Sequence, residues 1–321
     1  MKKLLVTGGL GYIGGRVSQA LSEKHDYSLR LTTRRSDLSG LPWAKKAEIF
    51  PLDLTSISDC VSVCRGINCV IHFAAMNEID SATDPEKALI VNGIGTLKLL
   101  KAAEEAGVER FIYFSTAHVY GAPLVGEISE NTLPRPVHPY AITHRTAEDF
   151  VLASNERKNL TGIAVRMSNA IGAPIDDKVN RWSLVINDLC RQAVVKKELE
   201  LKTSGHQKRD FIAISDAINA VFHFLNMNRD NTGNGLFNLG GEASLSILYM
   251  AELIAERCEK IIGFRPSIKK PVHTAGSDSD GNLNFCINKL KSTGFKLTGN
   301  LADEIDETLL FCSKYFKYSN E

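Results

Sequence analysis

A doubly wound parallel α/β sheet, with a smaller α/β part on its C-terminal side, is the fold class this sequence predicts, and three observations predict it. An apolar strand-like run at residues 3–7 breaks into Gly8, Gly11 and Gly14 and then continues with helical spacing. Strand-like and helix-like segments alternate through the first half of the chain, as parallel βαβ units require. After Arg166 that alternation loosens, as expected of a second part that covers the first.

Taken in order, apolar strand candidates occupy residues 4–7, 29–33, 47–51, 69–73, 110–114 and 163–166. Amphipathic stretches over 13–24, 56–64, 85–106 and 140–156 predict the helices between them. Right-handed crossovers join such units into one sheet, with ligands at the carboxyl ends of its strands. Beyond Arg166, helices are expected over 183–194, 215–226 and 246–256, with short strands around Leu199, Phe211 and Phe237. The division that follows is a dinucleotide-binding part at 1–166 and a substrate-binding part at 167–321, interleaved with the sheet instead of hung on a linker.

At 321 residues the chain is about two domain lengths and can bury a sizeable core. Its 38 Lys and Arg against 37 Asp and Glu leave a net charge of +1, so no broad field attracts nucleic acid or an anionic membrane. No apolar run approaches a membrane span, and the N-terminal apolar stretch has the length of a strand and not the layout of a signal peptide. The seven cysteines are scattered and sit mostly in apolar segments, the usage expected of reduced thiols in a cytoplasmic protein. Cys60, Cys64 and Cys69 cluster without a CxxC pair, and His25, His72, His138, His206, His223 and His273 show no metal-ligand spacing, so no metal is expected.

The glycine run carries the first piece of chemistry. A strand that turns tightly into a helix aims free backbone N–H groups and the positive end of the helix dipole at a pyrophosphate, and glycine lets the backbone come close. After the second strand, Arg34 and Arg35 stand where an acidic residue would accept a ribose diol; arginine instead pairs with a 2′-phosphate and favours NADP(H) over NAD(H). At the end of the third strand, the Asp53 carboxylate of Asp53-Leu54 is suited to reading an adenine amino group.

With these parts the chain resembles the extended short-chain dehydrogenase/reductase family, the nucleotide-sugar epimerases, dehydratases and reductases. The resemblance runs nearly end to end: Thr7 to Gly14, Asp53-Leu54, Val70 to Ala75, Val91 to Thr96, Phe114 to Gly121, Pro139-Tyr140, Arg166 to Gly172, Arg209-Asp210-Phe211 and Asn238 to Gly241, in the family's order. It implies a Rossmann sheet and redox chemistry at a sugar carbon, with Tyr140 as proton donor or acceptor and Thr116 aligning the same oxygen. It places the dinucleotide against Gly8, Gly11, Tyr12, Ile13, Gly14, Arg34, Arg35, Asp53, Leu54, Phe73, Ala74, Ala75, Asn92, Tyr140 and His144. For a substrate it implies Thr116, His118, Asn169 and Arg209, the last as the diphosphate clamp. Asp210 and Asp216 are expected to fix that loop and cap the next helix. Because the family pairs two helices of each subunit, a homodimer through 85–106 and 140–156 is also implied.

Two departures from the family pattern bear on mechanism. A free phenol titrates near about 10, and the family lowers that value with a lysine one helical turn after the tyrosine. This chain has His144 there, a group largely neutral at pH 7 that can still bond a ribose hydroxyl. The loss of charge is expected to slow chemistry by roughly tens-fold, since one pKa unit on the phenol is about 1.4 kcal/mol. Arg145, about 100° further round the helix, cannot take over. In the second departure, Ala117 and His118 follow Thr116 where 4,6-dehydratases carry an Asp-Glu pair; Ala117 cannot act as an acid, which argues against water elimination. His118 is suited to proton exchange beside a ketone, or to bonding a substrate hydroxyl. The family's later arginine is not evident in residues 271–280. The leading expectation is an NADP(H)-dependent reductase of a 4-keto nucleotide sugar, with or without epimerisation; the alternatives are a 4-epimerase with retained NAD(P) and a non-catalytic dinucleotide-binding regulator.

Overall fold

The computed structural model describes residues 1–35, 37–271 and 281–316. Five parallel strands come first: β1 (Lys2–Thr7), β2 (Tyr27–Thr32), β3 (Glu48–Phe50), β4 (Cys69–His72) and β5 (Arg110–Thr116). Strands Thr161–Met167 and Leu236–Leu239 complete a seven-stranded sheet, ordered 236–239, 161–167, β5, β4, β1, β2, β3. Every neighbouring pair is parallel. The strand order reverses between β1 and β4, which opens a crevice at their carboxyl ends.

Parallel strands need apolar cover on both faces, and this sheet has it. On one face α1 (Tyr12–Ser22) and the helix Ile214–Asn226 pack Val17, Leu21, Val221 and Phe224 against Leu4, Val6 and Ile71. On the other, α2 (Ile57–Cys64) and the helices Gly95–Glu105 and Pro139–Glu156 cover Leu5, Val70 and Phe111. A third cluster joins the helices Val185–Lys196, Ile247–Ile262 and Leu301–Phe316. A small sheet of Asn169–Ile171, Lys208–Ala213 and Ser244–Ser246 lies with it. Among the described residues no helix is long and apolar enough to cross a membrane.

One predicted helix differs. The 85–106 stretch is a short α-turn, Pro85–Ala88, then a π-helical turn, Leu89–Ile94, and then Gly95–Glu105. The wider turn accompanies an inward-pointing Asn92, whose Oδ1 accepts from the Met76 backbone N at 2.7 Å while its Nδ2 donates to Thr143 at 3.1 Å. Such π-turns recur beside functional sites.

Candidate active site

The glycine loop connects β1 to α1. Gly8 adopts φ +64°, and a Cβ on Gly14 would lie 2.3 Å from the Gly8 carbonyl oxygen, closer than any side-chain carbon can approach. Gly11 is the N-cap of α1 and brings no side chain to cap its first N–H groups. The result is a cradle of backbone donors that fits a dinucleotide pyrophosphate. Tyr12 is buried and donates its hydroxyl to the Gly172 carbonyl at 2.8 Å, so its main chain is what it can offer a ligand. Ile13 packs into the core, Phe73 stacks on Phe114 at 4.3 Å, and Ala74 donates its N–H to Thr7 Oγ1 at 3.3 Å. Behind the crevice His72 sits fully buried, its Nδ1 2.6 Å from Thr7 Oγ1 and its Nε2 2.9 Å from Thr96 Oγ1. Burial pushes the His72 pKa down to about 3.

At the end of β2 the two arginines are placed differently. Arg34 is exposed, but Arg35 is already committed: its guanidinium forms two bonds to the Asp176 carboxylate, at 3.1 and 2.5 Å. Asp176 lies 141 residues away, so no local pattern announces the pair. Ser36 falls outside the described residues. Asp53 is exposed and accepts from the Thr55 backbone N and hydroxyl, both at 2.8 Å; the backbone bond foremost holds its carboxyl below the usual range. Leu54 is buried, and Ala75 is exposed.

The residues proposed from sequence for the chemistry, Thr116, Tyr140 and His144, lie on β5 and on the helix Pro139–Glu156 that packs on it. Thr116 ends β5, and its Oγ1 accepts from the His118 backbone N at 3.2 Å. His138 caps the helix, accepting the Tyr140 N–H on Nδ1 at 3.2 Å, with Pro139 supplying a pre-set first turn. One turn on, His144 donates from Nδ1 to the Tyr140 carbonyl at 2.8 Å, and the two rings lie 4.1 Å apart. That bond leaves Nε2 of the neutral ring as an acceptor. Burial pushes His144 down to about 4, so the ring is neutral at pH 7. The same burial pushes the Tyr140 phenol up, Glu78 adds to the rise, and Arg181 opposes it. Arg145 pairs with Glu148 at 3.2 Å and Asp149 at 2.6 Å, away from the phenol.

Glu78 and Arg181 escape a reading of the sequence. They form an ion pair at 3.2 Å that joins the short helix Glu78–Thr83 to the segment before Val185. Glu78 also lines a cleft with Ile79, Ala82, Thr83 and His138. Asn77, which caps the Glu78 helix by accepting from Asp80, is a legible signal for that helix; nothing local marks Arg181. His118 is held below its ordinary value mainly by burial, with Arg209 lowering it further and Glu78 opposing.

Arg209 is exposed at the start of its strand and enters no ion pair among the described residues. Asn169 donates from Nδ2 to the Asp210 carbonyl at 2.9 Å, which leaves its Oδ1 as the group it can turn to a ligand. Asp210 holds the 240–243 turn by accepting from Gly241 and Ala243 at 3.0 and 3.1 Å, and burial raises its pKa to about 6. Asp216 accepts from the Thr298 and Gly299 backbones instead of capping its own helix, because that loop crosses the helix start. Residues 272–280, within the segment that lacks the family's later arginine, lie outside the described residues.

A glycine cradle at the switch point of a seven-stranded parallel sheet defines a dinucleotide-binding protein of the doubly wound class. Residues 4–240 match the NAD dependent epimerase/dehydratase family, and the chain belongs to that family. It is 30% identical to a dTDP-D-glucose 4,6-dehydratase of Mus musculus over 262 residues, covering 78% of this chain and 71% of the relative. It is 28% identical to a UDP-glucose 4-epimerase of Streptomyces lividans, over 78% of this chain and 80% of that one. A UDP-glucuronic acid 4-epimerase from Bacillus cereus, solved with UDP-glucuronic acid and NAD, superposes with a TM-score of 0.81 at 23% identity, over 98% of this chain and all of that one; this likeness is one of fold.

Proposed function

We propose that the protein is a nucleotide-sugar 4-epimerase that keeps NAD bound through turnover. The observation that carries the reading is the Tyr140–His144 pair on the first turns of the helix Pro139–Glu156, with the Tyr140 hydroxyl free of hydrogen-bond partners among the described residues. A bound nicotinamide supplies oxidation and re-reduction of the sugar carbon. The chain's own residues do the rest. Tyr140 takes the proton of the C4 hydroxyl and returns it, and Thr116 hydrogen-bonds the same oxygen. His144 accepts a ribose hydroxyl on Nε2, while Arg181 only partly offsets the rise that burial and its own partner Glu78 impose on the phenol. Arg209 pairs with the diphosphate.

Ala117, buried at the position after Thr116, offers no acid for expelling water, which weighs against the dehydratase activity of the mouse relative. The 4-epimerases among the relatives point the same way. A second reading, a 4-keto reductase that exchanges NADPH with the pool, is favoured by Arg34, exposed and without an ion pair among the described residues; His118 would then serve proton exchange beside the ketone. The test is to denature the purified protein, quantify released dinucleotide, and follow UDP-glucose and UDP-glucuronic acid by NMR with no cofactor added. Near-stoichiometric NAD and interconversion of C4 epimers is expected; an empty protein that consumes NADPH on a 4-keto sugar overturns the epimerase in favour of the reductase.

The same reading includes a homodimer. Leu89, Ile90 and Ile94 on the π-turn and Ile142 on the neighbouring helix are 37–45% exposed, an apolar stripe across two packed helices. Light scattering is expected to give the mass of two chains, and the mass of one would remove this element.

A further inference from the structure

We propose that Asp176 sets the dinucleotide preference of this protein: by holding the Arg35 guanidinium it withholds the arginine that would bind a 2′-phosphate, so the site takes NAD(H) over NADP(H). The inference rests on the dinucleotide reading above and adds to it the residue that chooses between the two cofactors. Arg35 stands just past β2, its backbone N bonded to Thr33 Oγ1 at 3.0 Å, on the side of the crevice where the adenosine ribose of a cradle-bound dinucleotide falls. Both arms of its planar fork are spent on Asp176, and the two side chains are only 22% and 9% exposed. A 2′-phosphate would have to break a two-bond, charge-assisted contact and would face the carboxylate at close range.

The carboxylate is placed by its segment and does not depend on its own flexibility. Ile175 packs against Gly15, where a Cβ would lie 2.5 Å from Ile175 Cδ1. Lys178 pairs with Asp37, and Arg181 pairs with Glu78 at 3.2 Å. Two ion pairs and an apolar contact therefore pin residues 175–178 across the end of β2 and the start of α1, and the third pair ties Arg181 to the helix Glu78–Thr83. Arg34 remains as a single exposed cation, a weaker phosphate contact than a two-bond fork.

The test is a fluorescence titration of the full chain, stripped of dinucleotide, with NADH and NADPH, which reads binding without turnover. Wild type is expected to bind NADH at least about ten-fold more tightly, and Asp176→Asn to gain about ten-fold or more for NADPH with little change for NADH. Arg35→Ala alone should leave NADPH affinity almost unchanged, yet abolish the gain when combined with Asp176→Asn. The proposal is overturned by a wild type that prefers NADPH, by a gain that survives in the double variant, or by an Arg35→Ala protein that loses NADPH binding ten-fold. If Asp176→Asn does not fold, wild type and Arg35→Ala still decide. A wild type that binds neither dinucleotide removes the dinucleotide reading and this inference together, whereas equal affinity for both removes this inference alone.

Discussion

Tyr140→Phe is expected to lower turnover on a nucleotide sugar by about 10²- to 10⁴-fold, the usual contribution of one positioned acid–base group. Dinucleotide affinity should be unchanged. The substitution removes one oxygen that takes no hydrogen-bond partner among the described residues, so the fold loses little. The phenyl ring keeps its 4.1 Å contact with His144, and the backbone bonds from His138 and to His144 remain. A fall in kcat with an unaltered KM for the sugar is the signature of an interaction made in the transition state. Wild-type turnover in the variant would remove Tyr140 from the chemistry and return the site to a binding role.

Glu148→Ala is expected to cost about 3–5 kcal/mol of stability, the penalty for stranding a buried charge. Glu148 and Arg166 are both essentially inaccessible, at 0% and 1% side-chain exposure, and are joined by three contacts of 3.1, 3.1 and 2.8 Å. Arg166 lies over the Tyr120 ring at 4.6 Å, and its Nη1 already lacks a hydrogen-bond partner, so the guanidinium is under-satisfied before the carboxylate goes. Arg145 would lose one of its two carboxylates and keep Asp149. Thermal unfolding of the variant should show a clear drop in midpoint. The double replacement Glu148→Leu with Arg166→Met should recover much of it, because removing both charges removes the stranded one. An unaltered midpoint for Glu148→Ala would mean that water or Tyr120 compensates the guanidinium.

The first half of the fold was legible because its information is local. Glycines after an apolar run, and helices whose buried residues recur at helical spacing, are written in neighbouring positions, and β1 to β5 appear within two residues of expectation at every one of their ends. Three-residue strands such as Asn169–Ile171 and Ser244–Ser246 carry no alternation long enough to read; their partners on Lys208–Ala213 make them strands. The helix Leu301–Phe316 did carry a stripe, Ile305, Leu309 and Cys312, and lay beyond the elements assigned from sequence. Of the residues in the proposed site, Tyr140, Thr116 and His144 follow from motif spacing. Asp176 and Arg181 do not, since each acts through a partner about a hundred or more residues away. Arg35 shows the cost of reading a side chain without its partner: its type suggests a phosphate, and its neighbour supplies a carboxylate.

The buried contacts of His72 admit only one arrangement of protons. Thr96 gives its hydroxyl proton to the Asn92 carbonyl at 2.6 Å, so it must receive one from His72 Nε2. His72 Nδ1 then has only a lone pair to offer, which Thr7 fills while it accepts from Ala74. The relay runs one way from the glycine loop to the π-turn, and a second proton on the ring, at Nδ1, would meet the proton of the Thr7 hydroxyl. The two strands flanking the crevice are thus tied together at their tips through buried side chains as well as through the sheet's own ladder.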